Sequence, residues 1–188
     1  MNRSKVSNVP EDKKGTTYSF DVCSNCKITC CQDAKPPLSG NRKKIIEEYL
    51  KNKKINLKDP FTTETYTYPS VDKGLLCVFN DKKTKKCIIH SVKPETCVAG
   101  PITFDINLRK GMLEFFLKKS EICPYAGVLF NDKPALKEHF QVAREQIVEL
   151  IKQLSAEELI ALTKIEEPQT FKFCEEPLPP EVARKLDL

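Results

Sequence analysis

Four cysteines lie within nine residues in the first part of this sequence, and thiols at this spacing are typical metal ligands. Cys23 and Cys26 form a C-x2-C pair, and Cys30 and Cys31 follow closely. Two thiolates of a C-x2-C turn can converge on one ion at about 2.3 Å each, as they do in zinc and iron-sulfur sites. Adjacent side chains normally point apart. We therefore expect that Cys30 and Cys31 bind different metal centres, or that only one of them is a metal ligand.

Further cysteines are spread along the rest of the chain. Eight thiolates would fill two four-ligand centres or one larger cluster, whereas a single tetrahedral site needs four. The candidate metal ligands are Cys23, Cys26, Cys30, Cys31, Cys77, Cys87, Cys97 and Cys123. Alternatively, Cys77 and Cys87 are small buried hydrophobic residues, because both lie in apolar segments. We expect the ninth cysteine, Cys174, to be a buried or free thiol.

The cysteines are expected to be reduced. Nine cysteines cannot all pair within one chain. The residues after Met1 lack the apolar stretch of a signal peptide, and no apolar run approaches the roughly 18 residues needed to span a bilayer. We therefore expect a cytoplasmic protein, in which disulfides are rare and thiolates are available for metal.

The two histidines offer little catalytic chemistry. His90 ends an apolar segment beside Cys87 and is a candidate to support a metal ligand, whereas we expect His139 to lie on the surface of a helix. A nucleophilic Cys-His pair is an alternative, but a metal centre explains more of the thiols at once. The sequence contains no phosphate-binding loop, no dinucleotide fingerprint and no zinc-protease HExxH.

The charge of the chain does not predict nucleic-acid binding. The net charge of +5 comes mainly from lysines. The arginines are few and scattered, and they are Arg3, Arg42, Arg109, Arg144 and Arg184. A nucleic-acid surface would gather such groups on one face. We expect a protein partner, no nucleic acid and no membrane.

The first half of the chain combines one helix with turns and short strands. Helical spacing of apolar residues predicts a helix over residues 39–54, capped by Ser39 or Asn41. For residues 55–74 we predict a loop with a short strand. Two hairpins are predicted next, one with arms at 75–79 and 86–90 and one with arms at 102–108 and 112–117.

The second half is predicted to be mainly helical. Apolar residues recur at steps of three and four from Pro134 onward, which indicates a long amphipathic helix with Asn131 or Asp132 as its cap. The apolar stripe comprises Leu136, Phe140, Ala143, Ile147, Leu150 and Leu154. Ser155 begins a capping box for a short helix through Ile165, and residues 181–186 predict a last helical turn.

Three blocks around the later cysteines resemble the YkgJ-like cysteine-cluster family of zinc- or iron-chelating domains. The segments 76–80, 86–90 and 92–97 read LCVFN, KCIIH and VKPETC, and they are similar to that family's CVFL, CxIY and RPxxC blocks. The opening cluster ends in a Cys-Cys pair, as in the family, and the likeness covers roughly residues 20–125. The sequence departs from the pattern in the longer spacing before Cys30, in Lys27 for glycine, in Lys93 for arginine and in His90 for tyrosine.

The resemblance implies metal chelation, and some members look like protein-lysine methylases. The sequence predicts an α+β fold with a small cysteine-rich core of loops and short hairpins around metal, packed with helices that include a long C-terminal one. We predict an N-terminal arm at 1–17, a metal-binding domain at 18–130 and a helical extension at 131–188 packed on it.

Three functions remain open. The first is an iron-sulfur protein, with a 4Fe-4S cluster or two, that acts in electron transfer, in cluster delivery or as an accessory to a redox enzyme. The second is a zinc-stabilised interaction module. The third is a modifying enzyme of the methylase kind.

Overall fold

The computed structural model describes residues 30–165 and 169–188. The predicted N-terminal arm lies outside these residues. The helices are α1 (Gly40–Asn52), α2 (Glu95–Ala99), α3 (Pro124–Asn131), α4 (Lys133–Gln153), α5 (Ala156–Leu162) and α6 (Pro180–Lys185), with a 3-10 turn at His90–Val92. The strands are β1 (Phe61–Thr63), β2 (Thr67–Pro69), β3 (Ile102–Asn107), β4 (Met112–Lys118) and β5 (Thr170–Pro177).

A three-stranded antiparallel sheet with the order β3-β4-β5 forms the main platform. The predicted second hairpin is confirmed as β3 and β4, which pair from Ile102 opposite Leu117 to Asn107 opposite Met112. Gly111 has a φ of 62° in the connecting turn, a conformation that glycine adopts without strain. Strand β5 was not predicted. It pairs antiparallel with β4, and the register of the pairing shifts between Phe115 and Phe116.

Helix α4 is 21 residues long and lies over this sheet. Asp132 caps it by accepting a hydrogen bond from the Ala135 amide, as predicted. Alternate residues of β4 point into the core, because successive strand side chains point to opposite faces. The fully buried side chains of this core include Leu113, Phe115, Leu117, Ile147, Leu150 and Ile151.

A second, smaller core surrounds helix α1 and the cysteine-bearing loops. Ser39 caps α1 and accepts a hydrogen bond from the Arg42 amide, which confirms the predicted start of this helix. The buried residues here are Leu38, Ile46, Leu50, Phe79 and Ile89, against which Cys77 and Cys87 pack. The loop at 55–74 contains the short hairpin of β1 and β2.

The predicted hairpin with arms at 75–79 and 86–90 is wrong. These residues form turns joined by isolated bridges, and His90 begins a 3-10 turn instead of ending a strand. Leu75, in the first predicted arm, has a φ of 61°, which a regular strand does not contain. The apolar residues of this region therefore pack into the protein core, although they lie in turns and not in strands.

The C-terminal region is more than helical. The predicted capping box at Ser155 is present, although α5 ends at Leu162, and the last predicted helical turn is α6. Strand β5 lies between these helices and completes the sheet begun by β3 and β4. The fold is α+β, as predicted, and the long helix is followed by further elements instead of ending the chain. In the part of the chain that is described, no helix has the length and apolar character to cross a bilayer.

Candidate metal centre

The segment that carries Cys30 and Cys31 lies directly beside the segment that carries Cys77. The amide of Cys77 donates to the carbonyl oxygen of Cys31 at 3.0 Å. The amide of Asp33 donates to the carbonyl oxygen of Leu75 at 2.7 Å. Backbone hydrogen bonds therefore hold two cysteine positions together that are far apart in the sequence.

Cys87 is joined to Cys77 through the turn between them. The amide of Asn80 donates to the carbonyl oxygen of Cys77 at 2.9 Å, and Asn80 forms an isolated bridge with Cys87. The Ile88 amide then donates to the carbonyl oxygen of Phe79 at 2.9 Å. This pairing brings the 77 and 87 positions together without regular strands.

Two aspartates shape the loops around these cysteines. Asp72 Oδ1 accepts from the amides of Gly74 and Leu76 at 2.8 and 3.0 Å. Its other oxygen lies 2.7 Å from Lys82 Nζ. Asp81 Oδ1 accepts from two amides of the following loop at 2.8 and 2.9 Å. Carboxylates commonly fix turns in this way, and these two determine how the chain enters and leaves Cys77.

Helix α2 supplies Cys97. His139 of α4 contacts the last residue of this helix, with its Nε2 atom 3.0 Å from the carbonyl oxygen of Ala99. The predicted surface position of His139 is wrong, because the side chain is only 1% exposed. Burial, with a smaller effect of Lys93, lowers the pKa of His139, so the neutral ring is favoured.

Cys30 and Cys31 interact directly. A hydrogen bond with the Cys31 thiol lowers the pKa of Cys30 to about 6, and the Lys93 cation also lowers it. The same hydrogen bond, together with burial, raises the pKa of Cys31. The two thiols are therefore neighbours, although adjacent side chains normally point apart, and their assignment to one centre or to two stays a prediction. They lie in a turn, where successive side chains need not alternate as they do in a strand.

The thiols of Cys77, Cys87 and Cys97 belong to the same group. Burial raises the pKa of each thiol, to about 12 for Cys97. The charge of Cys30 raises all three pKa values further, so these sulfurs lie close enough for their charges to interact. We call Cys30, Cys31, Cys77, Cys87 and Cys97 the thiol group.

The remaining predicted ligands have different locations. Cys123 immediately precedes α3 and packs against the main core, and Cys23 and Cys26 lie outside the described residues. Cys174 lies in β5 and also packs against the main core. Within residues 30–165 and 169–188, no three histidine, cysteine or acidic side chains form a set that could hold a metal ion. The full ligand set of eight cysteines remains a prediction.

The sequence reasoning missed two residues beside the thiol group. The side chain of Asn80 hydrogen bonds to Cys31 and lowers its pKa, opposing the effects of Cys30 and burial. The cation of Lys93 lowers the pKa of Cys30, Cys87 and Cys97. Both residues stand in the blocks around the cysteines that resemble the family, but nothing in their spacing showed that their side chains lie near the thiols.

The chemistry of the thiol group fits zinc or iron-sulfur. Its donors are all sulfur, and soft thiolates favour these centres over magnesium or calcium, which prefer oxygen. Lys93 would also offset part of the negative charge that several thiolates bring to one centre.

The comparisons with known proteins agree with this chemistry. The CxxCxxCC family model, described as "Putative zinc- or iron-chelating domain", matches residues 22–124. No solved structure gives a significant match to the chain. The matched range covers more than half of the sequence and contains all eight predicted ligands, so the chain belongs to the CxxCxxCC family.

Proposed function

We propose that this protein binds one or two iron-sulfur clusters, of the 4Fe-4S type, through its cysteines. The observation that carries the proposal is the backbone pairing that places the Cys31, Cys77 and Cys87 segments side by side, within a family match that contains all eight predicted ligands. Disulfide-bonded folds and catalytic Cys-His pairs do not require such a group. Cys23, Cys26 and Cys123 are the expected additional ligands.

Electron transfer, cluster delivery or an accessory role to a redox enzyme would follow from the position of the thiol group. Cys30 is exposed, while the other members of the group are partly buried. A bound cluster would supply reversible one-electron exchange, and an exposed ligand would bring it close to a docked protein partner. The described cysteines are all free thiols, which fits the reducing cytoplasm that we propose as its location.

A zinc-stabilised interaction module is the second candidate. Among residues 30–165 and 169–188, the core beside the thiol group has five buried hydrophobic residues, and its cysteine loops are turns instead of regular strands. Small loop-rich regions of this kind often depend on a structural metal for their folding energy. Zinc bound by the same thiols would provide that energy without any redox role.

The decisive experiment is purification of the full chain without oxygen, followed by metal analysis, acid-labile sulfide analysis and a visible spectrum. Brown protein with iron and sulfide in near-equal amounts supports the iron-sulfur proposal. Colourless protein with zinc supports the interaction module. Protein that carries neither metal, before and after reconstitution with each one, contradicts both.

A further inference from the structure

A buried polar contact ties the start of helix α2 to the start of helix α1. Ser39 Oγ donates to Glu95 Oε1 at 2.5 Å and accepts from the Arg42 amide at 3.1 Å. Ser39 and Glu95 are each 1% exposed. The hydroxyl that caps α1 therefore also holds the first residue of α2.

Arg42 extends this contact to two more elements. Its Nη1 atom donates to the carbonyl oxygen of Lys93 at 3.1 Å, and its Nη2 atom donates to Gln146 Oε1 on α4 at 2.6 Å. Its Nε atom lies 3.9 Å from Glu95 Oε1. One guanidinium thus joins α1, the segment that leads into α2, and α4, which a lysine could not do because it lacks the planar fork of donors.

Helix α2 is fixed at both ends by these contacts. Its N-terminal end is held by Ser39 and Arg42, and its last carbonyl oxygen lies against His139. Two residues along a helix correspond to a rotation of about 200° about its axis, so their side chains lie on nearly opposite faces. When Glu95 is turned toward α1, Cys97 must therefore be turned away from α1, and it is the residue of this helix that interacts with the other thiols.

We propose that Arg42 and Glu95 are positioning residues that aim Cys97 at the metal centre. The inference builds on the proposed metal-binding function, but neither residue is a metal ligand. Arg42 holds the backbone at Lys93 and Glu95 holds the first turn of α2, so together they set the rotation and position of this five-residue helix. A short helix has little stability of its own and depends on such contacts for its orientation.

Burial of the Glu95 carboxyl group costs free energy, which supports a role for this residue other than stabilising the fold. Among the described residues, Glu95 Oε2 is buried without a hydrogen-bond partner. A buried polar atom without a hydrogen-bond partner costs free energy. The positioning of Cys97 two residues later would offset this cost.

The test compares Arg42→Met and Glu95→Gln with Glu114→Gln as a matched control. Glu114 is also a largely buried carboxylate, and it contacts Lys172 and Asn107, each at 2.9 Å, in the main sheet. In metal-free, reduced protein, the rate at which iodoacetamide modifies Cys97 is followed by peptide mass spectrometry. We expect faster modification of Cys97 in both positioning variants and an unchanged rate in the control.

The second measurement is Zn²⁺ affinity of the same proteins, by competition with a coloured chelator. Loss of an outer group that orients a metal ligand typically costs about 10-fold or more in metal affinity, and we expect a loss of this size in both variants. The control should keep its affinity even where its unfolding temperature falls. Should Arg42→Met not fold, Arg42→Lys serves in its place, because it keeps the charge but loses the fork.

The outcomes separate this inference from the proposed function. Unchanged Cys97 modification and unchanged Zn²⁺ affinity in folded variants would overturn the positioning role alone. Faster Cys97 modification in protein that binds neither Zn²⁺ nor iron would support the positioning of the thiol and overturn the metal-binding function.

Discussion

Cys97 and Cys174 are both partly buried thiols, but their neighbours differ. Cys97 interacts with Cys87, Cys77 and Cys30, whereas Cys174 packs in the main core. The residue type alone could not distinguish these environments, because both are cysteines with polar and apolar neighbours in the sequence. The spacing of the family blocks did distinguish them, since Cys174 falls outside the matched residues.

Substitution Cys97→Ser should lower the amount of metal bound per chain, because serine keeps the size of the side chain but removes the soft sulfur donor. Metal and sulfide analysis of protein purified without oxygen checks this. Cys174→Ser is the control and should bind metal as the natural chain does. Equal metal content in the two variants would remove Cys97 from the ligand set.

Asp72 should make the metal-free protein sensitive to strong acid. The hydrogen bond with Lys82, followed by those with the Leu76 and Gly74 amides, lowers the pKa of Asp72 from 3.8 to about 2. A carboxyl group whose pKa is lower in the folded state stabilises that state fully above its unfolded pKa. This contribution is lost as the pH falls from 3.8 toward 2.

Asp72→Asn should therefore lower the free energy of unfolding near neutral pH and should flatten its decline in this acid range. Urea unfolding of both metal-free proteins at a series of acid pH values measures the effect. Parallel pH curves for the two proteins would show that the turn at Asp72 does not depend on its charge.

At the scale of elements, helices were more predictable than turns. Helix α4 was evident because its apolar residues recur along 21 residues, and Ser39, Asp132 and Ser155 mark helix starts through their side-chain oxygens. The cysteine loops were mistaken for strands because their apolar residues have strand-like composition. Their course depends instead on positive φ angles and on aspartate hydrogen bonds with the loop amides, which composition does not reveal.

Strand β5 was missed for a different reason. Residues 170–177 alternate only weakly, and their side chains are partly buried or exposed, so the segment lacks the apolar pattern of a core strand. It is a strand because β4 offers unpaired backbone groups along its edge, which is a property of the assembled sheet. The thiol group likewise forms only when distant segments meet.

The contact of α4 with the sheet predicts a large cost for Ile147→Ala. Ile147 is 0% exposed in the main core. Removing this much buried side chain typically costs about 2–5 kcal/mol of unfolding free energy, because a cavity remains. Chemical denaturation measures the loss. Ile160→Ala, at a side chain that is 42% exposed, should change stability by less than about 0.5 kcal/mol.

At the scale of the whole molecule, the family domain and the C-terminal region share one sheet. The family match ends at residue 124, yet its strand β4 pairs along its length with β5 at 170–177. The main core also combines residues from both regions, such as Leu113 and Ile147. The domain boundary that we predict at residue 131 therefore stays a prediction. In the structure, residues before and after it share one sheet and one core.

A chain that ends at Ile165 should lose cooperative unfolding, because β4 would keep an unpaired edge and the core would lose the side chains of β5 and α6. Circular dichroism during urea unfolding checks this result. Lys172→Ala controls for lost surface charge, since it removes the ion pair with Glu114 but keeps the strand. A sharp transition of natural steepness in the shortened chain would show that the family domain folds alone.

The pairing of β4 with β5 also orders events during synthesis. Ribosomes make a chain from its N-terminus, so every cysteine of the family match is translated before the strand that closes the sheet. For an interval during synthesis the family domain therefore exists with one edge of β4 unpaired. The sheet, and the core that it shares with α4, is complete only after residues 170–177 have been added.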